Sequence, residues 1–134
     1  MNNSIERQVV LNPKEIMIIS NQKMKKAIIA ALADEDMMKI MNSVADEPKS
    51  IRTIMNEQNI AYTTTYRKTK LLLDQSLLVV DRFEITPDGK KSSLVRSTLR
   101  SIAVKYEKDG TVFVEAEENV NALKKVMKNF LSIE

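Results

Sequence analysis

Two amphipathic stretches separated by Asn59 and Ile60, followed at once by two strand-like runs, constrain this chain more than any other feature of it. Residues 50–58 place Ile51, Ile54 and Met55 on one face of a helix. Asn59 follows, and after glycine asparagine best tolerates the left-handed conformation that ends a helix and turns the chain. Residues 61–75 then read as a second helix, roughly 20 Å long at ~1.5 Å rise per residue. On a helical wheel Ala61, Thr65, Thr69 and Leu72 share the inward face, Tyr62 falls toward the core and Lys68 points partly inward. Thr63, Arg67, Lys70 and Asp74 share the opposite face, with Thr64 and Tyr66 on its shoulders. That outward face gathers hydroxyls, a guanidinium and an ammonium with one late carboxylate. Such chemistry suits phosphate oxygens and base edges in a major groove.

The strand-like runs complete the unit. Residues 77–80 are apolar over a strand's length, and residues 82–85 continue them with alternation. Thr86-Pro87-Asp88-Gly89 supplies turn chemistry, Lys90 and Lys91 stand at the tip, and Leu94 and Val95 lie on the return strand. A helix-turn-helix followed by a strand hairpin with a basic tip predicts a winged helix-turn-helix. The fold class expected is mainly α with a small antiparallel β part.

On these residues the chain resembles a known family. The run IAYTTTYRKTKLLLDQSLLVVDRFEITPDGKK (60–91) looks like the recognition helix and wing of the ArsR-like winged helix-turn-helix transcriptional regulators, archaeal branch. ALADEDMMKIMNSVADEPKSIRTIMNEQN (31–59) looks like the helices that precede them. The likeness covers about residues 23–118 and lies in spacing and pattern. Two positions depart from it: Ser76 stands where the family has a helix-ending glycine, and Ala61 where it has a capping serine or threonine. Each departure costs up to ~1 kcal/mol of helix-end stability.

Composition excludes several other functions. Cysteine and histidine are absent, which removes disulfides, thiol sensing, zinc ribbons and every triad or metal site built on imidazole or thiolate. No metal or other cofactor is therefore expected. Acidic groups at 34–36, 46–47 and 115–118 sit near helix starts or strand ends, where capping explains them better than catalysis, so no enzyme is expected. No apolar run approaches the ~18 residues of a membrane span and no signal peptide opens the chain, so a cytoplasmic protein without membrane contact is expected. The net charge of +3 is modest, but its distribution is not even. Residues 60–100 carry eight Lys/Arg against four Asp/Glu, whereas residues 34–59 carry three against six. A basic block on the recognition helix and wing is the footprint of a DNA-facing surface.

Outside this unit, residues 1–21 read as an extended arm whose apolar run at 16–19 needs cover from the body or a second subunit. Residues 22–32 form an amphipathic helix, and Asp34 caps the next, whose inner face is Met37, Ile40, Met41 and Val44. Residues 22–100 are thus the winged-helix unit. Beyond it, Ile102, Val104 and Tyr106 alternate on one side of a strand, Lys108-Asp109-Gly110 turns the chain, and Val112, Val114 and Ala116 answer. This second hairpin is expected to extend the wing sheet. Residues 119–133 close the chain as a helix whose apolar arc spans roughly 160°, wider than the ~100° stripe of a surface helix. Leu123, Met127, Phe130 and Leu131 lie in that arc and predict a dimer seam, and the family resemblance also implies dimerisation through terminal helices.

The function expected is a homodimeric transcriptional regulator bound to double-stranded DNA. Thr63, Thr64, Tyr66 and Arg67 would meet base edges or nearby phosphates, and Lys70, Lys90 and Lys91 the backbone. The alternative is a winged-helix protein–protein interaction module of a larger complex, since fold alone does not decide function.

Overall fold

Three of the four helices in the computed structural model, which describes residues 16–120, begin at a polar side chain that closes on the helix's own backbone. Asn21 Oδ1 accepts from Met24 N at 2.9 Å and starts α1 (Gln22–Leu32). Asp34 Oδ1 does the same for Met37 N and starts α2 (Glu35–Ser43). Ser50 Oγ accepts from Thr53 N and starts α3 (Ile51–Gln58). Each bond satisfies one of the free N–H groups of a helix's first turn. Asn59 ends α3 in the left-handed conformation at φ 56°, the turn its residue type predicts. Next comes α4 (Tyr62–Asp74), whose cap position is Ala61, with no side-chain bond. Its other end is Ser76 at φ 64°, the backbone for which glycine is the unstrained choice.

The chain then makes β2 (Leu78–Ile85) and β3 (Lys91–Ser97), an antiparallel pair whose register shifts between Val80 and Arg82. Lys49, in the loop before α3, bonds both ways to Val95 and occupies the other edge of β3. A second sheet holds β1 (Ile16–Ile18), β4 (Leu99–Tyr106) and β5 (Val112–Glu118) in the order β1-β5-β4, all antiparallel. The second hairpin therefore does not extend the first, as its sequence suggested. The edge of β3 where it would have to pair is taken by Lys49. Thr98 then redirects the chain, its N–H donating to Leu77 O and its hydroxyl to Ser76 O. The apolar run at 16–19 supplies β5 with its second neighbour. Four helices and five antiparallel strands in two sheets make the described fold mixed α/β, richer in strand than expected.

The core lies where the helices meet both sheets. Ile28 of α1, Ile40 of α2, Val44, Ile54 of α3 and Leu72 of α4 are fully buried against Leu77, Val95 and Val114. At ~25 cal/mol per Å² of apolar surface removed from water, such side chains contribute about 1.5–3 kcal/mol each. Buried Thr65 reconciles its hydroxyl with this setting by donating to Ala61 O at 2.9 Å. The predicted inner face of α2 is buried as expected, with Met37 and Met41 as core filler. Leu123, Met127, Phe130 and Leu131 lie outside the described residues.

Candidate nucleic-acid interface

The outward side of α4 carries the groups its periodicity predicts. Thr63, Tyr66, Arg67 and Lys70 are exposed, and Thr64 is half-buried on the shoulder. Thr65, Thr69 and Leu72 face the core with no exposed surface. Two positions depart from the wheel. Ala61 is exposed, because the helix starts one residue later and leaves it outside in extended backbone. Tyr62 does not turn into the core. It stands 55% exposed on the first turn, its ring stacked on Tyr66 with centroids 6.1 Å apart and planes 25° apart. The i, i+4 spacing allows that stack, and at the free end of the helix no neighbour covers the ring from above.

Half of the basic block is ion-paired within the described residues, and of this the sequence shows only that Lys68 points partly inward. Lys68 Nζ donates to both carboxylate oxygens of Asp34 at 2.8 and 2.9 Å and lies 3.4 Å from Asp36. The ammonium of Lys68 first, and the Met37 N–H second, hold the Asp34 carboxyl below the usual carboxylate range, while Asp34 in turn raises Lys68. Arg82 and Arg96 both bond Asp81, the residue at the register shift, whose side chain is only 5% exposed. Arg96 also donates to Asp46 O at 2.9 Å, and Arg100 pairs with the Asp46 carboxylate at 2.7 Å. Asp81 and Arg96 thus tie the hairpin to the loop after α2. Neither was singled out by sequence, because a bulge pointing a carboxylate inward leaves no periodic trace.

At the hairpin tip, Thr86 N donates to Lys90 O and Gly89 N to Thr86 O, both at 2.8 Å, with Gly89 at φ 84°. Asp88 accepts from the Thr86 hydroxyl and from Lys90 N, and these bonds lower its pKa, so its charge stays beside Lys90. Lys91 Nζ sits 4.3 Å from the centroid of the Phe83 ring, a cation–π contact. The tip is consequently less positive toward solvent than two adjacent lysines imply. Among the described residues, Arg67, Lys70 and Lys90 form no ion pair. The structure sorts the basic block into three free cations and a set of braces.

Among the described residues no group of three or more acidic side chains could hold a metal ion, and no helix is long and apolar enough to cross a membrane. An open apolar cleft of about 500 Å³, lined by Met17, Met24, Leu73, Leu78, Val80 and Leu99, separates the second sheet from α1 and the end of α4. It contains no cluster of titratable groups. In comparison with known proteins, no family model matches the chain and no curated protein does.

Proposed function

We propose that the chain is a DNA-binding transcriptional regulator of winged helix-turn-helix build that acts as a homodimer. In this reading α4 enters the major groove and the β2–β3 hairpin lies along the phosphate backbone. One observation carries it. Among the described residues, four of the other six cations of residues 60–100 are ion-paired, whereas the exposed side of α4 keeps Arg67 and Lys70 outside any ion pair among Thr63, Thr64 and Tyr66, with no carboxylate before Asp74. Arg67 takes a base edge, the threonines and Tyr66 take base edges or adjacent phosphates, and Lys70, Lys90 and Lys91 take phosphates. A dimer formed through Leu123, Met127, Phe130 and Leu131 would present two such helices to half-sites about 34 Å apart, or a multiple of that, as an inverted repeat.

The test starts from a duplex selected by the full chain out of a random pool. Arg67→Ala should weaken binding to it by ~1–3 kcal/mol. Unchanged binding by a folded Arg67→Ala, Lys70→Ala protein would remove α4 from the interface. Phe130→Asp should shift the mass seen by light scattering to that of a monomer and weaken the full site far more than a half-site. The alternative, a protein-interaction module, draws on the outer face of the β1-β5-β4 sheet, where Ile16, Ile18 and Phe113 are exposed. Failure to select any duplex would favour it.

A further inference from the structure

The stacked tyrosines raise a question the charged groups do not answer. Arg67, Lys70 and the threonine hydroxyls have obvious partners on a duplex, in phosphates and in acceptor atoms of the bases. Two exposed aromatic rings in their midst do not, since ring carbon gains nothing from a phosphate. Tyr62 is 55% and Tyr66 46% exposed, and their offset stack fixes one against the other, so the pair presents a preformed apolar ridge on the first turns of α4. A rigid aromatic surface loses little conformational freedom on binding, which favours its use as a contact. The apolar group on the floor of the major groove is the C5-methyl of thymine.

We infer that Tyr62 and Tyr66 together are specificity-determining residues that read thymine methyl groups, so that the preferred duplex carries thymine under the first turns of α4. This deepens the reading of the chain as a major-groove DNA binder and rests on it. Tyr62 enters the site as a residue that the helical wheel assigns to the core. The contact belongs to the rings. The phenol hydroxyls are free to meet phosphate or water and carry no part of the base preference.

The experiment uses the full chain and a duplex selected from a random pool, with each thymine replaced singly by deoxyuridine, a change that deletes one methyl group and keeps the hydrogen-bonding edge. Wild-type affinity should fall roughly fourfold at one or two thymines per half-site, the worth of one buried methyl-sized group. Tyr62→Ala and Tyr66→Ala should bind the thymine duplex more weakly and lose that discrimination. Tyr62→Phe and Tyr66→Phe should keep it. Both tyrosines are exposed, so the variants are expected to fold, which circular dichroism checks. Two outcomes overturn the inference while leaving DNA binding intact: a selected duplex insensitive to every deoxyuridine, or phenylalanine variants that discriminate no better than alanine. If no duplex is selected at all, the major-groove reading fails and the inference with it.

Discussion

Single positions in this fold hold more than one job, and substitution separates them. Asp34 caps α2 through Met37 N and pairs with Lys68 across to α4. Lys68→Met removes its pairs with Asp34 and Asp36 but leaves the cap, and should lower stability by about 1 kcal/mol at neutral pH, whereas Asp34→Ala removes cap and pair and should lower it by about 2 kcal/mol. Urea titration reads both values. Folding lowers the Asp34 pKa, so its contribution is full above the ordinary carboxyl value of 3.8 and is lost as pH falls through the lower, folded one. Folding raises Lys68 above 10.5, so its contribution is full below that value and is lost as pH rises through the folded one. The gap between wild type and Lys68→Met should therefore be level near neutrality and close below about pH 4. Two helix ends with unfavourable residues offer the opposite sign. Ser76→Gly relieves a left-handed serine and Ala61→Ser supplies a missing cap, each expected to raise stability by about 0.5–1 kcal/mol in thermal unfolding.

Among the elements, the β2–β3 hairpin shows best how charge is divided between holding and reaching. Asp81 is buried against Arg82 and Arg96, and Arg96 runs on to Asp46 O. Asp81→Ala would leave the mostly buried Arg96 guanidinium with Asp46 O but no carboxylate, at about 2 kcal/mol of stability, and loosen the hairpin against the loop after α2. Its effect on duplex affinity should exceed that of Arg82→Ala, which removes a partner at the exposed end of the same network. If the tip meets phosphates as proposed, losing each such contact should flatten the dependence of log affinity on log salt by about 0.9. Lys90→Ala should show this in full and Lys91→Ala less, because Lys91 rests on Phe83. Equal slopes for the two would mean that the ring does not restrain Lys91. The sequence made part of these elements legible: the Asp34 cap, the Asn59 turn and the Thr86–Gly89 turn are local chemistry, written in adjacent residues. It hid the Asp81–Arg96 brace, the Lys68 pair and the exposure of Tyr62. Each of those depends on what packs opposite, and periodicity carries no information about a neighbour distant in the chain.

For the molecule as a whole, the junction of the two sheets matters more than either sheet. Asn119 is 1% exposed, and its amide donates to Ala45 O at 2.8 Å and Ser97 O at 2.9 Å while its N–H donates to Thr98 O. One side chain thus joins the loop after α2, the end of β3 and the end of β5. Asn119→Ala leaves two carbonyls short of a donor and should lower stability by about 2 kcal/mol in chemical denaturation. Asn119→Asp should be worse, since a carboxylate would then face both carbonyl oxygens. From sequence the second hairpin, which follows the first directly, is expected to extend its sheet. Lys49 against Val95 and Ile16–Ile18 against β5 decide otherwise, and both pairings bring together segments far apart in the chain. The second of these has a consequence for how the protein is made. As the chain leaves the ribosome, α1 to α4 and the β2–β3 hairpin emerge before β5, built largely from sequence neighbours that pair quickly. Until β5 arrives, Ile16–Ile18 has no partner strand, and the core lacks Val114 and Ala116. A synthesis stalled before Val112 would therefore leave the helices and the first hairpin formed on an open, adhesive body, and such a fragment should aggregate where the full chain does not.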